Sequence, residues 1–135
     1  LLLELARALP PASAAAAAAP TRALQHVQRF QALVEARYRE QPPLAALAAP
    51  LGITPTQLER VCRAVLGRSA LGVLHGRLLL EAQRELGYTR MSVKQVAIGL
   101  GFGDAGYFTR WFQQRTGLTP TAWRMASALG AGAGE

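Results

Sequence analysis

Hydrophobic positions recur with helical spacing along most of this chain. In 21–40, Leu24, Val27, Phe30, Leu33 and Val34 fall on one helix face. A second helix is predicted over 44–51. A third begins at Thr54-Pro55, a cap residue followed by proline in the first helical position, and stops at Gly67. The fourth, 69–86, puts Leu71, Leu74, Leu78, Ala82 and Leu86 on one face. Further helices are predicted over 93–100, 104–116 and 119–128. No run of β-branched or aromatic residues alternates with polar ones, so no strand is predicted. The fold class is all-α, with about seven helices.

The helical pattern repeats itself. LAALAAPLG at 44–52 matches VKQVAIGLG at 93–101 at an offset of 49. The following stretch matches at an offset of 50. Thr54 pairs with Asp104, Leu58 with Phe108, Arg60 with Arg110, Val61 with Trp111, Cys62 with Phe112 and Gly67 with Gly117. Ser69 then pairs with Thr119, so both caps recur. Each copy is a short helix, a glycine-containing turn and a capped second helix, the layout of a helix-turn-helix. Ala48 and Ala97 are small where two crossing helices approach. Chance likeness of two amphipathic helices does not account for matched caps, turn glycines and arginines together.

Counting from the cap of each second helix, positions +4, +7 and +8 are apolar. The opposite side holds +2, +5, +6 and +9. These are Thr56, Glu59, Arg60 and Arg63 in the first copy, and Gly106, Thr109, Arg110 and Gln113 in the second. Arginine can pair with O6 and N7 of guanine, and Glu59 could accept from the amine of cytosine. The competing reading of such positions is an ordinary solvated helix face. It loses ground because the pattern recurs in a duplicated unit.

Charge strengthens this picture. The chain carries 15 basic and 8 acidic residues, a net charge of +7. Region 21–128 holds fourteen of the bases and six of the acids, a net charge of +8. A basic domain suits a polyanionic partner. Arg37, Arg39, Lys94, Arg115 and Arg124 are candidate phosphate contacts. The single cysteine, Cys62, permits no intramolecular disulfide and no cysteine-based zinc site. His26 and His75 are isolated, and neither a metal site, a cofactor site nor a catalytic group is predicted.

The flanks differ in composition. Region 1–20 is read as the end of an upstream helix, stopped by Pro10-Pro11, plus an Ala/Pro-rich linker. Region 129–135, Gly-Ala-rich, is read as a disordered tail. The absence of an initiator methionine predicts a piece of a longer protein. No apolar run reaches the ~20 residues of a membrane span.

The segment 30–124 resembles the DNA-binding domain of the AraC/XylS family of transcription regulators. The likeness is strongest over VKQVAIGLGFGDAGYFTRWFQQRTGLTPTAWR, 93–124. Ala97, Gly101-Phe102, Phe108, Arg110, Phe112, Gly117, Thr119-Pro120 and Arg124 carry it. It implies two helix-turn-helix subdomains joined by a long helix, 69–86, with recognition helices 54–66 and 104–116 in successive major-groove segments. It places base contacts at Thr56, Glu59, Arg60, Ala105, Gly106, Thr109 and Arg110. It implies a cytoplasmic bacterial regulator, most commonly an activator, working with RNA polymerase on promoter DNA. Effector binding and dimerisation would lie in an upstream region.

Departures from the family pattern stand out. Pro50 should distort the last turn of its helix. Cys62 replaces a large aromatic. Ala105 and Gly106 leave the second recognition helix little with which to reach bases. Gly72 and Gly76 weaken the connecting helix. Two other functions fit a basic helical domain: a DNA alkyl-transfer repair module, which needs a reactive thiolate, and a protein-interaction module with an acidic partner.

Overall fold

The computed structural model describes residues 18–134. Seven α-helices make up this region: α1 (Ala18–Arg37), α2 (Leu44–Ala48), α3 (Pro55–Leu66), α4 (Ala70–Tyr88), α5 (Val93–Gly99), α6 (Ala105–Thr116) and α7 (Pro120–Gly134). Short 3₁₀ turns follow α1 (Tyr38–Glu40) and α2 (Ala49–Leu51). Among the described residues there is no strand, and no helix is long and apolar enough to cross a membrane. The helix end and Pro10-Pro11 predicted for 1–11 lie outside the described residues.

Helix ends follow the local chemistry. Thr54 and Gln57 form a reciprocal capping box on α3, as Ser92 and Gln95 do on α5. Ser69, Asp104 and Thr119 accept from the backbone N–H three residues on. Gly52, Gly67, Gly101 and Gly117, the turn and terminal glycines matched by the repeat, are the glycines with positive φ among the described residues. Pro50 has the expected effect: α2 ends at Ala48, and the chain tightens into a 3₁₀ turn across Ala49–Leu51.

The ends of the domain depart from expectation. α1 starts at Ala18, inside the predicted linker, because Pro20 falls in the first turn, where no helical N–H is needed. α7 continues past Ala128 to Gly134. Nothing in its Ala-Gly tail breaks a helix as proline would, and alanine favours one.

A continuous core links both copies of the repeat. Val27, Phe30 and Val34 bury one stripe of α1, and Tyr38 of the following 3₁₀ turn continues it. Ala70, Val73, Leu74, Leu78, Ala82 and Leu86 do so along α4. Leu24 and Leu71, expected on these faces, are 45% exposed; each flanks the buried stripe. The first helix-turn-helix unit (α2–α3) packs on α1 and the start of α4. The second (α5–α6) packs on α4 and α7.

Candidate nucleic-acid interface

The recognition helix of the first unit, α3, buries Leu58 and Cys62 completely. Its far side exposes Thr56, Arg60 and Arg63. Glu59 does not join them. Its carboxylate turns toward the following helix and accepts from the Ala70 N–H at 2.5 Å. There it meets the partial positive charge of the α4 N-terminus. This bond turns Glu59 partly away from the outward face on which a base contact is expected. Burial, helped by the nearby Glu59 charge, pushes the Cys62 thiol up to about 11. A thiol that reluctant to ionise is a poor nucleophile.

In the second unit, α6 buries Phe108, Trp111 and Phe112. Gly106, Arg110 and Gln113 are exposed; Ala105 and Thr109 are half-buried. The Arg110 guanidinium lies back along the helix, 3.5 Å from where a Cβ on Gly106 would stand. The missing side chain leaves it that space. Ala105 packs against the core rather than presenting itself outward.

The five candidate phosphate contacts separate into different roles. Lys94 is exposed on the first turn of α5. Arg37 pairs with Glu40 at 3.1 Å on the surface. Arg115 stacks over Trp111, 4.5 Å from the ring centre, with its Nη2 2.7 Å from His75 Nδ1. Burial, and then the Arg115 charge, hold the His75 imidazole below its usual value, so its Nδ1 accepts from Arg115. Arg39 and Arg124 are engaged within the protein. Arg39 donates to Glu85 at 2.7 Å, Glu81 at 3.2 Å and the Gly99 carbonyl at 3.1 Å. Arg124 donates to the Leu86 and Met91 carbonyls at 2.7 and 2.5 Å. Arg39, partly exposed, ties a carbonyl and two carboxylates together, and the half-buried Arg124 ties two carbonyls.

Sequence reasoning missed the neighbours of Arg60. Arg22, His26, Ile53 and Gln57 line an open cleft of about 190 Å³ with it. His26 Nδ1 is buried there without a hydrogen-bond partner. The signal was available: Arg22 and His26 stand four apart on α1, so they share a face.

A family model of a helix-turn-helix domain matches residues 47–126, more than half of the chain. The chain belongs to the AraC/XylS family of transcription regulators. In that family the two helix-turn-helix units form the DNA-binding domain. The regulator ExsA of Pseudomonas aeruginosa is 29% identical over 97 residues, covering 72% of this chain and 35% of ExsA. The arabinose operon regulatory protein of Escherichia coli is 32% identical over 81 residues, covering 60% of this chain and 28% of that protein. The chain thus spans about a third of the length of these curated relatives. Among solved structures, the DNA-binding domain of AdpA in complex with a target DNA is 30% identical with a TM-score of 0.64, covering 71% of this chain and 90% of that one. A regulator from Chromobacterium violaceum shares the fold at 24% identity and a TM-score of 0.71, covering 78% of this chain and 94% of that one.

Within this AraC/XylS domain, the positions that the resemblance assigns to bases are unequal. Thr56, Arg60 and Arg110 are exposed, Gly106 has no side chain, and Glu59, Ala105 and Thr109 are partly withdrawn.

Proposed function

We propose that α3 and α6 enter successive major-groove segments on one face of double-stranded DNA, about one turn or ~34 Å apart. Arg60 and Arg110 are the principal base readers. Thr56, Arg63, Thr109 and Gln113 support them, and Lys94 contacts phosphate. The observation that carries this reading is the matched arginine pair: both are exposed, at equivalent positions of duplicated capped helices, on the side opposite a buried stripe. The first unit carries more of the direct readout, because the outward face of α6 has few side chains long enough to reach bases.

The whole protein is proposed as a cytoplasmic promoter-binding regulator, an activator working with RNA polymerase. Effector recognition and dimerisation belong to regions beyond this domain. The buried, raised-pKa Cys62 supports a binding role over alkyl transfer.

Selection of bound sequences from a random duplex pool tests the reading directly: enrichment of one site is expected, and a pool left random would reject it. Non-specific binding should also fall steeply with salt, by about 0.9 in the log–log slope for each phosphate neutralised. A flat salt response would count against DNA as the partner.

A further inference from the structure

Two arginines ten residues apart, Arg29 and Arg39, reach the two helix-turn-helix units from one stretch of chain. Arg29 Nη2 donates to the Pro50 carbonyl at 3.0 Å. Arg39 Nη1 donates to the Gly99 carbonyl at 3.1 Å. Pro50 and Gly99 are the same position of the repeat, one residue before Leu51 and Leu100. Each unit is therefore held at the same carbonyl, at the end of its first helix, by an arginine from the α1 side.

The second attachment is the more elaborate. Arg39 also binds Glu81 and Glu85 of α4, whose side chains are only 10% and 11% exposed. Gln41 Nε2 donates to the Leu100 carbonyl at 2.8 Å from a backbone held at φ 48°. The turn residue Gly101 lies so close that a Cβ there would collide with the Arg39 carbonyl. Gly52, its counterpart, has open space at that point.

We propose that α1 and the segment through Gln41 brace the two units, and that Arg29, Arg39 and Gln41 are positioning residues that set which half-site spacing the domain accepts. This rests on the DNA-binding reading above. One strut between two bodies leaves them free to swivel about its axis. Among the described residues α4 is the one helix that packs along both units within the shared core, and Gly72 and Gly76 soften its N-terminal half. A second, offset strut removes the swivel. One added base pair moves a half-site by ~3.4 Å and rotates it by about a tenth of a turn, a change that a braced pair of helices cannot follow.

The test uses the whole chain with two double variants, Arg29→Ala/Arg39→Met and Arg29→Ala/Gln41→Ala. The second leaves the Glu81 and Glu85 pairs intact and covers the case in which the first fails to fold. Circular dichroism checks helix content. Affinity is measured on the selected duplex and on versions with one base pair added or removed between half-sites. The wild type should discriminate by about tenfold, and each folded variant by about threefold or less. Spin labels on Ala64→Cys and Gln114→Cys report the distance between α3 and α6 without DNA, and the variants should give a broader distribution. An unchanged spacing profile and an unchanged distribution in a folded variant would overturn the brace. A wild type with no sequence preference would defeat the DNA reading instead, and the spin-label widths would then decide the brace alone.

Discussion

In the first helix-turn-helix unit the second helix buries Leu58 and Cys62; in the second unit the matching positions hold Phe108 and Phe112, with Trp111 beside them. Phe102 stands 5.1 Å from Phe108 and 5.0 Å from Trp111, ring centre to ring centre, and Trp123 meets Phe112 edge-on. Among the described residues no such aromatic cluster supports α3, which packs chiefly on α1 instead. Outside, the contrast reverses. α3 presents Thr56, Arg60 and Arg63; α6 presents Arg110 and Gln113 but has Gly106 where α3 has Thr56. Duplication has preserved caps, turns and register while interior mass has gone to the second copy and the outward first turn is fuller in the first. Backbone hydrogen bonding thus dictates the unit, and side-chain volume is free to vary within it.

The interior half of that contrast can be broken by truncation. Trp111→Ala should cost ~3–5 kcal/mol in denaturant unfolding, against about 1 kcal/mol for Cys62→Ala. Equal losses would mean that the two cores are equivalent. For the outward half, Arg60→Ala should weaken specific DNA binding by ~1–3 kcal/mol without a change in melting temperature. Arg110→Ala should weaken it less. Titrations on the selected duplex measure both, and a larger loss at Arg110 would reverse the assignment of readout.

A smaller effect sharpens the role of Glu59. Glu59→Ala should lower stability by about 1 kcal/mol through loss of its bond to the Ala70 N–H at the start of α4, while the selected DNA sequence stays the same. A changed base preference would restore Glu59 to the interface. The smallest effect is a pH dependence at His75 of α4, where it meets Trp111 and Arg115 of α6. His75 has a folded pKa below its unfolded value near 6.5. Its neutral form therefore stabilises the fold fully above that value, and the contribution is lost as pH falls from about 6.5 through the folded pKa. Thermal melts from pH 8 to pH 5 should show a decline that His75→Gln flattens.

What was legible in the sequence was local. Thr54, Ser69, Asp104 and Thr119 announce helix starts because their hydrogen bonds close within three residues. The buried faces of α3 and α6 follow from helical spacing alone. What was not legible depends on partners far along the chain. Arg39 meets carboxylates 42 and 46 residues away, and Arg124 meets a carbonyl 38 residues away. No periodicity marks these as internal ties, so both read as free surface charges. Glu59 misled for a related reason: helical geometry aims it outward, but the unsatisfied Ala70 N–H draws it sideways.

That sideways turn reaches beyond the protein. A carboxylate occupied in closing the next helix offers nothing to the nucleotide opposite it. If α3 reads DNA as proposed, the base opposite Glu59 should be less restricted than those opposite Arg60 and Arg63. The same tie joins α3 to the start of α4, so α3 cannot roll about its own axis without breaking the bond to Ala70.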